Sequence, residues 1–252
     1  METPGTAVRS GSPVGGWRGR LGRVAAASLL AVAGTSATPA HAAVAAVHEL
    51  PAHVAVQAWV RPAGSTLTLL VRVPLESMRD VDLPLRDGGR YLDLGDPELD
   101  DLLRDAAAIW IADYLRLWED GEPLGEEEVV AARVSLPSDR SFASFDDARA
   151  RLAGTRPLAG DVLLPPGQAL LDVRLEVPIS SARARFSLEP ELAHLGVETV
   201  SVVRFLPPDS GVRVFRWEGN PGRVELDPRW HQAFLRFVEL GFLHILEGLD
   251  HL

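Results

Sequence analysis

Three observations predict a mainly β, sandwich-like fold with one or two amphipathic helices and a C-terminal apolar helix that begins a membrane region. Short runs rich in Val, Leu and Phe recur from residue 53 to residue 217, each bounded by Pro, Gly or Asp. Only two segments show helical spacing behind an Asp-Pro start, and the second grows steadily more apolar toward the C-terminus. The 252 residues are 46% apolar and 24% charged, the make-up of a globular chain able to bury a core.

Residues 1–42 read as a secretory signal peptide. An Arg-bearing start precedes the apolar stretch Val24–Ala33, and Ala40-His41-Ala42 supplies a small-x-small cleavage site, so the mature chain is expected to begin at Ala43. The apolar stretch is about 10 residues long against the roughly 20 needed to span a bilayer, which favours cleavage over anchoring.

After the signal, His53–Val60 and Ser65–Val73 flank Arg-Pro-Ala-Gly and predict a β-hairpin. Pro74, Pro84 and the Asp87–Arg90 turn mark a loop. Asp96-Pro97-Glu98 offers an N-cap, a proline at the first helical position and an early acid. Leu99, Leu103, Ala106, Trp110, Tyr114 and Leu117 then follow at helical spacing, predicting one helix to about Trp118. The acid runs 119–123 and 126–128 read as solvated turns. Residues 129–136, 168–179, 184–188, 199–206 and 211–217 are further strand candidates. No repeat or low-complexity linker interrupts them, so residues 43–226 are taken as one extracytoplasmic β-rich domain. Asp227-Pro228 starts the second helix, and residues 227–252 read as the start of a first transmembrane helix, cut short at Leu252.

The charge and cysteine content exclude whole classes of function. Net charge is −10, and removing residues 1–42 leaves 21 basic and 34 acidic residues, a net of −13. Such a chain lacks the basic surface that binding to nucleic acid requires. Without cysteine it can form neither disulfides nor thiolate metal sites, so any metal must be held by His and carboxylate.

Candidate chemistry concentrates in the last dozen residues, where ionisable groups sit on an apolar segment. Placing such groups in a membrane or a core is costly, so they usually mark an ion path, a metal site or a paired network. His244, Glu247 and His251 share one helical face at i, i+3 and i+7, and Asp250 projects from another. The two histidines lie about 10 Å apart along a helix axis, too far to meet one ion without a bend or a relay. Elsewhere, Ser135–Phe142 resembles a nucleophile loop only superficially. It has no G-x-S-x-G elbow and no assignable histidine, so a turn capped by a local Asp or Ser hydrogen bond is expected. His48 and His53 read as incidental, and no segment makes an enzyme.

Gly241, His244, Ile245, Gly248, Asp250, His251 and Leu252 resemble the opening of the first membrane helix in the HupE/UreJ family, whose signature is a His, five residues, then Asp-His. Val71–Leu75, Trp110–Asp113, Ser135–Phe142, Phe205–Pro208 and Leu226–Gln232 resemble the extracytoplasmic domain of its long-armed branch. The resemblance implies a multi-span nickel or cobalt permease, or an accessory protein for hydrogenase and urease. It carries the metal role to His244, Asp250 and His251, while Glu247 belongs to the geometric argument alone. On this reading the metal is a transported ion, not a cofactor bound tightly by this chain. The partners would be the membrane, through the C-terminal helix, and further transmembrane helices beyond Leu252. A secreted β-rich binding module with a docked C-terminal helix is the alternative.

Overall fold

The opening hairpin forms where its turn residues predict, with a first strand longer than expected. The computed structural model describes residues 51–154 and 158–226. Strand β1 (His53–Ala63) runs through Arg61-Pro62 before turning at Gly64 into β2 (Thr66–Pro74). Gly64 takes φ 59°, a left-handed conformation that glycine adopts at little cost. Pro62 is tolerated because it lies beyond the last β1 residue paired on the strand's other side, Val60 with Phe205.

A small hairpin, β3 (Leu85–Arg86) and β4 (Tyr91–Leu92), closes around the Asp87–Arg90 turn. Helix α1 spans Leu99–Trp110, and the Asp96 carboxylate accepts from the Glu98 amide at 2.8 Å just ahead of it. The helix stops eight residues earlier than its spacing predicts. Leu115–Glu119 instead forms β5, with Leu115, Leu117 and Glu119 buried and the residues between them more exposed. Their spacing satisfies both periods, and pairing with a later strand decides for the period of two.

The remaining elements are β6 (Glu122–Pro123), β7 (Glu128–Ser135), α2 (Phe145–Ala153), β8 (Leu170–Pro178), β9 (Phe186–Pro190), β10 (Glu198–Phe205), β11 (Arg213–Glu218) and β12 (Val224–Glu225). The five strand candidates after residue 128 thus appear as β7 to β11. Helix α2 is an element the sequence reading did not predict. Its signal was present in Ser144 and Asp147: the Ser144 hydroxyl accepts from the Asp147 amide at 3.1 Å and donates to its carboxylate at 2.7 Å.

The fold is mainly β. A six-stranded sheet has the order β11-β10-β1-β2-β8-β7, and a four-stranded sheet the order β12-β9-β5-β6. Within the larger sheet only β1 and β10 run parallel. One face, bearing Val56, Val60, Leu69, Val71 and Val173, shares a core with Leu115, Leu117, Phe186 and Leu188 of the smaller sheet. Gly196 lets the chain pass close to β1, since a Cβ there would lie 2.7 Å from Val54 Cγ2.

The opposite face has a second core. Trp59, Leu70 and Ala131 are covered by Phe142 and by Phe145, Ala148 and Leu152 of α2. With both faces covered, the seven inner residues of β2 are all buried, which explains why the segment reads as an apolar run broken only by Thr68 and Arg72. That arginine, Arg72, is the centre of the site described next.

Candidate functional site

The residues assigned to metal by sequence, His244, Asp250 and His251, lie outside the described residues, as does Glu247. Among the described residues, no group of three or more His, Asp or Glu side chains is arranged to hold a metal ion, and no helix is long and apolar enough to cross a membrane. His53 opens β1 on the surface and pairs with Glu198 at 2.9 Å.

The most elaborate polar arrangement in the domain lies beneath α2 and is built from Ser135–Phe142. Arg72 on β2 and Asp172 on β8 are direct cross-strand partners. Both point to the α2 face and both are buried, at 4% and 0% exposure. The guanidinium grips the carboxylate with two bonds, Nε to Oδ1 at 2.6 Å and Nη2 to Oδ2 at 2.7 Å. Such forked geometry makes the strongest class of charged hydrogen bond. Ser135, the last residue of β7, donates its hydroxyl to Asp172 Oδ2 at 2.5 Å and accepts from Arg151 Nε of α2 at 3.0 Å.

Arg72 reaches onward into the loop after β7. Its Nη1 donates to the Asp139 carbonyl at 2.9 Å and its Nη2 to Asp139 Oδ1 at 2.8 Å. Asp139 also accepts from the Ser141 amide at 2.9 Å and pairs with Arg151 at 2.9 Å. The local capping bond expected of this turn is therefore present, inside a larger network the sequence did not reveal. The Phe142 ring lies 4.3 Å from the Arg72 guanidinium carbon, and the Phe142 carbonyl accepts from Trp59 Nε1 at 3.0 Å.

The charges follow from these contacts. Burial by itself would raise the Asp139 carboxyl, but hydrogen bonds from Arg72 and Ser141 and the charge of Arg151 outweigh it and hold the group down at about 2. For Arg72, burial opposes the cation, yet Asp172 and Asp139 together raise it further above its ordinary value. Two arginines thus face two carboxylates, and the site carries no excess charge to attract an ion.

This chemistry favours fastening over reaction. The Ser135 hydroxyl is buried and is committed to Asp172 and Arg151, and the carboxylate that it donates to is itself held by the Arg72 fork. The network ties three strands, the 136–144 loop and α2 into one unit. Removing one partner of a buried pair leaves an uncompensated charge, costing about 3–5 kcal/mol, so the arrangement is strongly selective for its complete form.

The acid run at 119–123, expected to be solvated, is partly buried. The Glu119 side chain turns inward and accepts from the Ser180 amide at 2.8 Å and the Ser181 amide at 2.7 Å, holding the loop after β8. Asp120 and Gly121 make the turn itself, with φ 51° and 96°. In the second run, burial and then the charges of Glu126 and Asp113 push Glu127 up to about 7.

Arg72, Asp172 and Arg151 were not singled out by sequence. The available signal was an arginine and an aspartate inside otherwise apolar strands, where each needs a charged partner. No protein-family model matches the chain, and no curated protein matches it.

Proposed function

We propose that the chain is the extracytoplasmic part of a HupE/UreJ-like membrane protein, placed before its membrane helices and serving nickel or cobalt transport or the supply of metal to hydrogenase or urease. The observation that carries this reading is the His244…Asp250-His251 motif on an apolar segment that follows directly on the β domain. Leu226, the residue before that segment begins, is buried, and its amide donates to the Phe186 carbonyl at 2.9 Å. A firmly held last strand is what a domain needs if it is tethered to a membrane at its C-terminal end. Further support comes from Val71–Leu75 and Ser135–Phe142, two stretches on which the resemblance rests, because they meet in the Arg72 network.

Expression of the whole chain in a Gram-negative host tests the reading. The expected outcome is a mature N-terminus at Ala43, a domain open to protease added to spheroplasts, and membrane association that survives a carbonate wash and is lost on deletion of 227–252. In a reading frame that continues into further apolar spans, nickel uptake falls to background when His244, Asp250 or His251 becomes Ala, with membrane insertion retained. Recovery of the intact chain as a free periplasmic protein would refute the proposal and favour a secreted module with a docked helix.

A further inference from the structure

The edge strand of a sheet presents backbone donors and acceptors to any passing chain, and most edges of this domain are blunted against such pairing. In the smaller sheet β6 and β12 are two residues long, and β6 ends in Pro123. In the larger sheet β7 carries a bulge between Val129 and Ala131 and is packed by α1. Strand β11 has none of these protections: its six residues hold no proline, no glycine and no bulge.

Its pairing with β10 fixes which backbone groups are left over. The two strands run antiparallel with Ser201 opposite Trp217, and the Gly219 amide donates to the Thr199 carbonyl at 2.9 Å. Hydrogen-bonded residues alternate along such a ladder, so Phe215, Trp217 and Gly219 bond inward to β10. The amides and carbonyls of Val214, Arg216 and Glu218 therefore point at the open edge. The Arg216 and Glu218 side chains are both 63% exposed and meet each other only loosely, at 3.6 Å.

We propose that β11 is a self-association edge, on which a second copy of this chain pairs antiparallel about a two-fold axis at Trp217. Charge complementarity selects both the occupant and the register. In this register Arg216 of each copy lies opposite Glu218 of the other, giving two cross-strand ion pairs on one face and four backbone hydrogen bonds between them. Sliding by two residues either way would set Arg216 against Arg216 or Glu218 against Glu218, and sliding by one would set one sheet face against the other. On the inner face the half-buried Trp217 rings meet across the axis. Phe215 falls opposite Gly219, which has open space where a side chain would stand. The paired stretch is about five residues long, so the dimer belongs among small, weak specific interfaces. The inference stands apart from the membrane reading, because it uses only residues of the β domain.

The full chain has no cysteine, so Arg216→Cys and Glu218→Cys each carry a single thiol at an exposed position, and both should melt like the parent. Directly opposed residues lie with Cα atoms about 5.5 Å apart, within disulfide reach, whereas 216 to 216 and 218 to 218 are diagonal and beyond it. The two variants are oxidised mildly at about 100 µM, alone and as an equal mixture, and disulfide-linked dimer is followed on non-reducing gels. The expected result is that the mixture links about fivefold faster than either variant alone. Equal rates in all three samples, faster linking of one variant by itself, or no linked dimer would overturn the proposal. Association through the C-terminal segment gives no such preference for the mixture, so the outcome does not depend on where that segment lies.

Discussion

Replacing Asp172 by Ala tests the central claim about the Arg72 network. The substitution removes the acceptor of both Arg72 fork bonds and of the Ser135 hydroxyl, at a position with 0% exposure. Arg72 then keeps one carboxylate, Asp139, for a guanidinium that is 4% exposed. A buried ion pair broken from one side costs about 3–5 kcal/mol, most of it from the charge left behind. Asp172→Asn preserves the volume and part of the acceptor capacity, and a loss of about 2 kcal/mol is expected. If the penalty arises from the stranded cation, Arg72→Met/Asp172→Ala must lose less than the sum of the single variants, by about 2 kcal/mol. Urea unfolding followed by tryptophan fluorescence measures all four corners of the cycle, and Trp59 reports on the network directly through its bond to Phe142. A loss below about 1 kcal/mol in Asp172→Ala, or strict additivity in the double variant, would refute the reasoning.

Two further outcomes follow from the geometry. Ser144→Ala removes the hydroxyl that caps α2 and should cost about 1 kcal/mol in the same urea assay, with Ser144→Gly close behind. The pH profile of stability has two windows of opposite sign. Asp139 ionises more readily when folded, so its contribution is complete above about pH 4 and is lost as pH falls through about 2. Glu127 holds its proton more tightly when folded, so its ionisation lowers stability as pH rises from about 4.5 through 7. Thermal melts across pH 4 to 8 should show Glu127→Gln removing that decline.

The hairpin, the presence of a helix soon after Asp96-Pro97 and the five later strands could be read from sequence, because turn residues and a period of two act over a few neighbours. The helix itself is capped at Glu98 and begins at Leu99, two residues later than the Asp96 cap implied. Two readings went astray, and a third was incomplete, for one physical reason. The helix after Asp96 was extended to Trp118, but Leu115–Glu119 pairs with β9, and that partner lies about 70 residues away. Glu119 was taken for a solvated acid because nothing near it predicts that the Ser180 and Ser181 amides would receive it. The local turn expected at Ser135–Phe142 is present in the Asp139–Ser141 bond, but the further partners of Ser135 and Asp139, namely Arg72, Arg151 and Asp172, come from three other elements. The short helix α2 is a different case, since its cap was visible and only its weak apolar periodicity hid it.

Sequence alone therefore determined where the opening hairpin and the five later strands fall, and that the chain is mainly β and cysteine-free. These are consequences of backbone preference, composition and local spacing. Only the tertiary structure decided which strands become neighbours, and so which charges are buried together and which strand is left at an open edge. Arg72 meets Asp172, and Ser201 meets Trp217, through sheet register. Register is set by how two whole faces bury their apolar side chains, not by any property of the residues that it brings into contact.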